Sequence, residues 1–417
     1  MGDGIRIGIV GCGRILPAVL RGLRLLRESG DDAFRITALC ARKREDALMF
    51  RRRGEGPPPR EPVSTIPADP LSVPHTYVSD IQPGPPPEVY TDYRAMLAAD
   101  VVDAVLILTT VAAHHPIALA CLDAGKHVLV EKPLAISVRA GRRMVEEARR
   151  AWLVLATAEV ARYRPETRAA RWSIETGRIG RLQAVVGGGI GAGDWSPDRI
   201  VADTPWRHVK LLAGGGAAVD IGPHRFHVLR YVCGDIAEVC AVAAVAEPVR
   251  VMRDAQGTVV RQVANEVDDL FFALLRFASG AVGQLSFSWA GHGQQMSLPL
   301  SYYGSQGSLN GRQLARDNEA VADVVQAFER DADPALRARQ FPGGLQDGFA
   351  LEIRDWLEAI RRGEESETGG AEGLIDLAIS YAVLESSLAR RWVGVEEVLS
   401  GYLSAYQHPI DEHYGLL

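Results

Sequence analysis

Lys132 stands in "KHVLVEKP", directly after an apolar run with the character of a buried strand. Pro133 restricts the residue before it to extended geometry, so the lysine sits at the exit of that strand. Parallel α/β sheets bind ligands beyond the carboxyl ends of their strands. An ammonium there could hydrogen-bond a substrate hydroxyl and stabilise the alkoxide that develops as hydride leaves carbon. A lysine paired with a carboxylate for structural reasons is the plainer alternative. A second group lies in "GGGAAVDIGPH". Gly214, Gly215 and Gly216 permit a close backbone passage. Asp220 and His224 share a helix face if the turn is helical, with Pro223 tolerated only in a first turn. A histidine held by a carboxylate is a proton carrier near pH 7. Asp220 touching substrate directly and His224 merely packing in its helix are the alternatives. His227 is a further candidate for the same site.

A cofactor is suggested at the other end of the chain. "GIVGCGRIL" places Gly8, Gly11 and Gly13 after the first apolar run, with Arg14 following. Glycines allow a tight turn and close approach to a pyrophosphate, which a helix N-terminus favours. The full fingerprint has glycine or alanine at 16, where this chain has Leu16. The next strand ends in "ALCARK". An NAD site usually offers Asp or Glu there to the ribose 2′-hydroxyl. Ala41, Arg42 and Lys43 take that place, and Arg42 can fork onto a 2′-phosphate. NADP(H) is therefore expected in preference, with NAD(H) also admissible.

The elements that must position these groups alternate. "IRIGIV", "FRITALC", "DAVLILTT", "KHVLVEKP" and "WLVLATAEV" read as strands separated by helical segments. That is a parallel sheet covered on both faces. A proline-rich excursion at about 44–90 interrupts it, with "GEGPPPREP" and "QPGPPPE" reading as little regular structure. It reaches the pocket, shields an edge or contacts another subunit. The run "RRR" at 51–53 reads as a solvated loop, and Thr91 as the cap of "TDYRAMLAAD". After about residue 160 the strands lengthen and alternate, as in an antiparallel sheet, before helices return in the last 70 residues. The expected fold is α/β: a Rossmann domain over 1–160 and an α/β substrate-binding and oligomerisation domain with a large open, mostly antiparallel sheet over 161–417. The apolar face of such a sheet needs cover, so self-association is expected.

Bulk properties exclude other classes. A net charge of −6 and a pI near 6.0 argue against a nucleic-acid surface. No stretch has the length and apolarity of a membrane span, and no signal peptide opens the chain. Five cysteines without a CxxC or regular framework read as reduced thiols of a cytoplasmic protein, and no metal site is assigned.

In "GIVGCGRI", "AGKHVLVEKPLA", "ETGRIG", "GGGAAVDIGPH", "LRFASGAVGQLSFSW" and "YGSQGSLNG" the chain resembles the glucose–fructose oxidoreductase / inositol dehydrogenase / rhizopine-catabolism (Gfo/Idh/MocA) family of NAD(P)-dependent oxidoreductases. The resemblance implies a sheet that packs against a partner's, giving a dimer or tetramer. It implies that Lys132 binds substrate and orients the nicotinamide, and that His224 donates or accepts the proton beside Asp220. The family's TPNxxH loop falls on 109–114, where only Thr109 and His114 match; that loop lines the nicotinamide side. Glu131 belongs to the same cofactor rim. Arg162 matches an arginine found after the last Rossmann strand. The family's HxxD becomes His224 and His227, and Trp195 and Trp206 fall near the implied pocket, where stacking on a sugar face and core packing are both open. The expected activity is hydride transfer between a nicotinamide and a secondary alcohol or ketone carbon of a sugar, cyclitol or related polyol. The rivals are redox-assisted glycoside cleavage with recycled cofactor, and a non-catalytic cofactor- or partner-binding protein.

Overall fold

The computed structural model describes residues 4–417 other than 63, 65, 68, 192–203 and 255. The chain divides into two compact units. The first is built on six parallel strands: β1 (Ile5–Val10), β2 (Phe34–Cys40), β3 (Glu88–Tyr90), β4 (Ala104–Ile107), β5 (His127–Glu131) and β6 (Leu155–Ala158). Their order is β3-β2-β1-β4-β5-β6, the doubly wound arrangement. The connecting helices are α1 (Leu16–Glu28), α2 (Arg44–Arg51), α3 (Tyr93–Ala98), α4 (His114–Asp123) and α5 (Val138–Ala151). β4 and β6 are buried along their whole length, which explains their unbroken apolar sequence. Pro17 stands in the first turn of α1, where its missing N–H costs nothing. The cap of α3 is Asp92, which accepts from Arg94 N at 3.0 Å, and not Thr91.

Two expectations need correction here. The excursion after α2 has little regular structure, yet it is packed. Val73, Val78 and Ile81 join the core of the first unit. The Gln82 amide pairs with both backbone groups of Ile36, at 2.9 and 2.8 Å, and so ties this segment to β2. Arg51 is not loop but the last residue of α2, half-buried and bonded to Glu55 and to Pro87 O. The domain boundary also differs from 161–417. Residues 345–373 belong to the first unit, because the helix Gly348–Arg362 turns Ile353, Trp356 and Leu357 into the same core as Leu20 and Leu23 of α1. Arg21 and Asp347 clasp the pair at 2.8 Å. Residues 136–139 go with the second unit, where Val138 N donates to Gln407 Oε1 at 2.9 Å.

The second unit carries a nine-stranded sheet. Its strands are β7 (Leu182–Ile190), β8 (Ile236–Ala244), β11 (Leu270–Phe277), β12 (Val282–Ser288), β13 (Met296–Gly304), β14 (Gly307–Asn310), β15 (Gln313–Arg316), β16 (Ala322–Asp323) and β17 (Val393–Gly394). β9 (Val249–Arg253) and β10 (Val259–Ala264) form a separate hairpin. The order is β16-β15-β14-β13-β7-β12-β11-β8-β17, antiparallel except for β7 against β12. Alternation sorts the two faces. Phe271, Ala273, Leu275 and Phe277 of β11 are buried, and Phe271 meets Phe226 of the helix Gly222–Cys233. The intervening residues face outward. Pairing of Phe272 with Val242 puts both on that outer face, where Val242, Phe272, Leu274 and Val282 are 67%, 46%, 51% and 53% exposed.

Candidate active site

Parallel strands end on one rim, so the topology of the first unit assembles residues far apart in sequence. β1 leads into the glycine turn, β4 into Thr109, and β5 into Glu131 and Lys132. Since β1, β4 and β5 are neighbours, the glycine turn and Lys132 stand two strands apart, roughly 10 Å. Gly11 has φ +106°, and a Cβ there would lie 2.4 Å from Leu108 O, so the turn can close against the exit of β4 only with glycine. Gly11 N donates to Cys40 O at 2.9 Å, which ties the turn to the end of β2 as well. A Cβ on Gly13 would meet nothing within 4 Å, so this residue borders open space before α1. Gly8 lies inside β1, and its bareness serves packing against Val102 and Met96. Ala41 is buried, while Arg42 and Lys43 are exposed ahead of α2.

The two remaining strand exits are joined by one side chain. His114, at the start of α4, has Nδ1 2.9 Å from Pro133 O and Nε2 3.1 Å from Thr109 O. Burial, with a smaller push from the Lys132 ammonium, lowers its pKa to about 4 against the pull of those two carbonyls. Both carbonyls would be served by an imidazolium, but the neutral ring has one N–H to give. The ring therefore donates to one of the two carbonyls and packs between the loop 109–114 and the lysine turn. The buried Glu352 lies within electrostatic reach of Glu131, the last residue of β5, and of the buried Glu159. Burial pushes Glu352 well above the usual carboxyl range, and the charges of Glu131 and Glu159 push it the same way.

In the second unit, Asp220 closes a short helix, Ala217–Asp220, and His224 lies in the first turn of Gly222–Cys233, after Pro223. Both are partly exposed. Arg207 Nε donates to Asp220 Oδ2 at 2.9 Å, so this carboxylate is oriented by a guanidinium. Asp268 fixes the segment that carries both groups. Its carboxylate accepts from Gly216 N and Ala218 N, each at 2.7 Å. A Cβ on Gly216 would fall 1.6 Å from Asp268 O, so the passage requires glycine. Burial raises the Asp268 pKa to about 6, against the opposing effect of those N–H donors.

Two family models match the chain. "Oxidoreductase family, NAD-binding Rossmann fold" covers residues 5–158, and the "GFO/IDH/MocA C-terminal domain" covers 167–310. Levoglucosan dehydrogenase of Pseudarthrobacter phenanthrenivorans is 30% identical over 329 residues, 74% of this chain and 84% of its own. The chain belongs to the Gfo/Idh/MocA oxidoreductase family. Myo-inositol 2-dehydrogenase of Thermotoga maritima, 26% identical over 314 residues, covers 75% of this chain and 85% of its own. A crystal structure of an oxidoreductase domain protein from Kribbella flavida shares the fold, with a TM-score of 0.74 at 24% identity, covering 94% of this chain and 100% of its own. Levoglucosan dehydrogenase in complex with NADH and levoglucosan does so with a TM-score of 0.72 at 22% identity, covering 94% and 99%.

As a member of this family the chain is an NAD(P)-dependent oxidoreductase, and its first unit fits a dinucleotide. The turn is closed where a strand must pass and open at Gly13, ahead of a 13-residue helix whose positive dipole end faces the turn. Arg14 follows on that turn. One expected residue is placed otherwise. His227 is only 1% exposed, with Nδ1 2.6 Å from Asp376 and Nε2 3.4 Å from Arg162 Nη1, so it is a core histidine and not a substrate contact. Burial alone would raise the Asp376 pKa, but His227 and Arg230 hold it low. Arg162 lies in the second unit with its guanidinium 4.3 Å over the Tyr231 ring. Trp206 is half-buried under Arg207 at 4.5 Å, while Trp195 lies outside the described residues. Sequence reading missed Arg207, Asp268 and Asp376. Arg207 stands beside Trp206 in "PWRHV", and Asp268 is the first of two acids before β11, so adjacency to a motif was the available signal.

The buried His114 makes stability depend on pH. Its folded pKa, about 4, lies below the ordinary 6.5, so the unfolded chain binds its proton first. Its contribution is complete above pH 6.5 and is lost as pH falls toward 4, roughly 3 kcal/mol across that window. Thermal midpoints measured from pH 4 to 7 are expected to fall on acidification, and less steeply in His114→Gln. Parallel profiles for the two proteins would show that His114 is not the group responsible.

Proposed function

We propose that the protein interconverts a secondary alcohol and a ketone on a sugar, cyclitol or related polyol, with NADP(H) preferred over NAD(H). The observation that carries the reading is Lys132 at the exit of β5, on the same rim as a glycine turn suited to a dinucleotide. Bound nicotinamide supplies the hydride acceptor in oxidation and the donor in reduction. The residues do the rest. Lys132 hydrogen-bonds the reacting oxygen and stabilises negative charge on it. His224 takes the hydroxyl proton in oxidation and returns it in reduction. Arg207 holds Asp220 in one orientation, and Asp268 holds the backbone from which Asp220 and His224 project. His114 keeps the lysine turn and the Thr109 loop in register. Glycines at the turn and the exposed Arg42 and Lys43 supply the cofactor contacts, the latter pair in place of the carboxylate that would repel a 2′-phosphate.

The named substrates of relatives support the substrate class. They include levoglucosan, myo-inositol and 1,5-anhydro-D-fructose, all polyhydroxylated rings. The outer face of the large sheet supports self-association: four exposed apolar side chains share one patch, and a second copy of the same face would cover it in a dimer or tetramer. Five free thiols fit a reducing, cytoplasmic setting, and no described helix is long and apolar enough to cross a membrane.

Four measurements test these readings. His224→Ala is expected to lower kcat by about 100-fold or more while cofactor affinity stays within a few-fold; unchanged turnover and pH–rate profile would remove His224 from the chemistry. Net formation of NAD(P)H from polyols separates dehydrogenation from glycoside cleavage with recycled cofactor. Arg42→Ala is expected to weaken NADPH binding by about tenfold, close to 1.4 kcal/mol, and NADH binding far less; equal losses would mean that Arg42 does not meet the 2′-phosphate. Leu274→Glu is expected to lower the solution mass seen by light scattering, and an unchanged mass would place the subunit contact elsewhere.

A further inference from the structure

We propose that Arg60, carried by the proline-rich excursion, is a cofactor-specificity residue that grips the 2′-phosphate of NADP(H). This rests on the dinucleotide reading above and deepens it. Arg60 is distant in sequence from both the glycine turn and the end of β2, yet its guanidinium touches both regions. Nη1 lies 3.5 Å from the carbonyl of Cys12, the residue between Gly11 and Gly13. Nη2 pairs with Asp46 in the first turn of α2, the helix that follows Arg42 and Lys43. β1 and β2 are adjacent strands, so the side chain runs from the exit of β1 to the first turn of the helix that follows β2. In this fold the adenosine ribose lies there, with its 2′-position toward the end of the second strand.

The chemistry suits a phosphate. Arg60 is 47% exposed and Asp46 31%, so theirs is a solvated pair worth about 0–1 kcal/mol. A 2′-phosphate brings up to two negative charges and three acceptor oxygens, against the single charge of Asp46. It can take the guanidinium fork without leaving a buried charge behind. Arg42 and Lys43 are exposed on the same strand exit, ahead of Glu45 and Asp46 in the first turn of α2.

The excursion also explains why the arginine is in place before cofactor arrives. Pro57, Pro58 and Pro59 directly precede it and confine φ along the arm. At the base of the arm, Gly56 has φ +116°, and a Cβ there would come 2.8 Å from the backbone of Leu48 in α2. A stiff arm anchored on α2 presents Arg60 with less conformational entropy left to lose on binding.

The test is titration of wild type, Arg60→Ala, Arg60→Lys and Asp46→Asn with NADPH, NADH and 2′,5′-ADP, read by nicotinamide fluorescence and by calorimetry. The expected result is a wild type that prefers NADPH, and an Arg60→Ala protein that binds NADPH and 2′,5′-ADP about tenfold more weakly with NADH within twofold. Arg60→Lys is expected to recover part of the loss, and Asp46→Asn to bind NADPH more tightly, since the competing carboxylate is gone. A wild type that prefers NADPH while Arg60→Ala keeps full NADPH affinity overturns the role of Arg60 and leaves the NADP reading standing. Equal loss of NADPH and NADH overturns it too, because Arg60 would then only brace the glycine turn. A wild type that binds NADH as tightly as NADPH and ignores 2′,5′-ADP overturns the NADP reading and this inference together.

Discussion

The reversal of strand order beside β1 is the constraint on which the first unit depends. The chain runs outward from β1 to β2 and β3, then returns to lay β4 on the opposite side of β1. Connections therefore leave β1 and β4 in opposite directions, and a crevice opens between them at the carboxyl ends. The glycine turn must pass that point without a side chain, because Leu108 O stands 2.4 Å from where the Cβ of residue 11 would be. Residues from four stretches of sequence, at the glycine turn, Ala41 to Lys43, Thr109 to His114 and Glu131 to Lys132, are drawn to one rim as a consequence of pairing order, and the packed excursion adds Arg60.

A rim made of loops would be mobile without internal ties, and this one is tied by buried polar groups. His114 sits between two loop carbonyls and donates to one of them, and Gly11 N reaches Cys40 O. In the second unit the carboxylate of Asp268 plays the same part for the segment 216–218, and Asp376 for His227 and Arg230. Groups of this kind cost free energy to bury, and that cost is offset only when their partners are in place. Their gain is geometric. His114 and Asp268 remove freedom from segments that carry Lys132, Asp220 and His224, which is what a site acting by position and charge requires.

How much of this was legible in sequence varies with the range of the interaction. The alternation of apolar strands and helices disclosed the parallel sheet, and the longer alternating strands after residue 160 disclosed the second sheet. Those signals are local. Lys132 and the glycine turn were legible because a strand precedes each, and strand exits on a parallel sheet share a rim. The membership of the helix Gly348–Arg362 in the first unit was not legible, since its apolar stripe fits any core and only packing against α1 decides which. His227 was open as a site residue until Asp376, 149 positions away, was seen to hold its ring. Arg207 and Asp268 act through partners 13 and about 50 residues distant, for which a single sequence has no marker.

The proline-rich excursion shows the limit most clearly. Its composition argues rightly against helix and central strand, because proline removes donors and fixes φ. Composition does not distinguish a solvated loop from a stiff, packed arm. The difference lies in a few residues embedded in it: Val73, Val78 and Ile81, which enter the core, Gln82, which pairs with the backbone of β2, and Gly56, which lies against α2. With those anchors the same prolines that forbid regular structure hold the segment against the sheet. An insertion fastened in this way can bring a side chain back to the strand exits it interrupts, and Arg60 beside Cys12 is such a side chain.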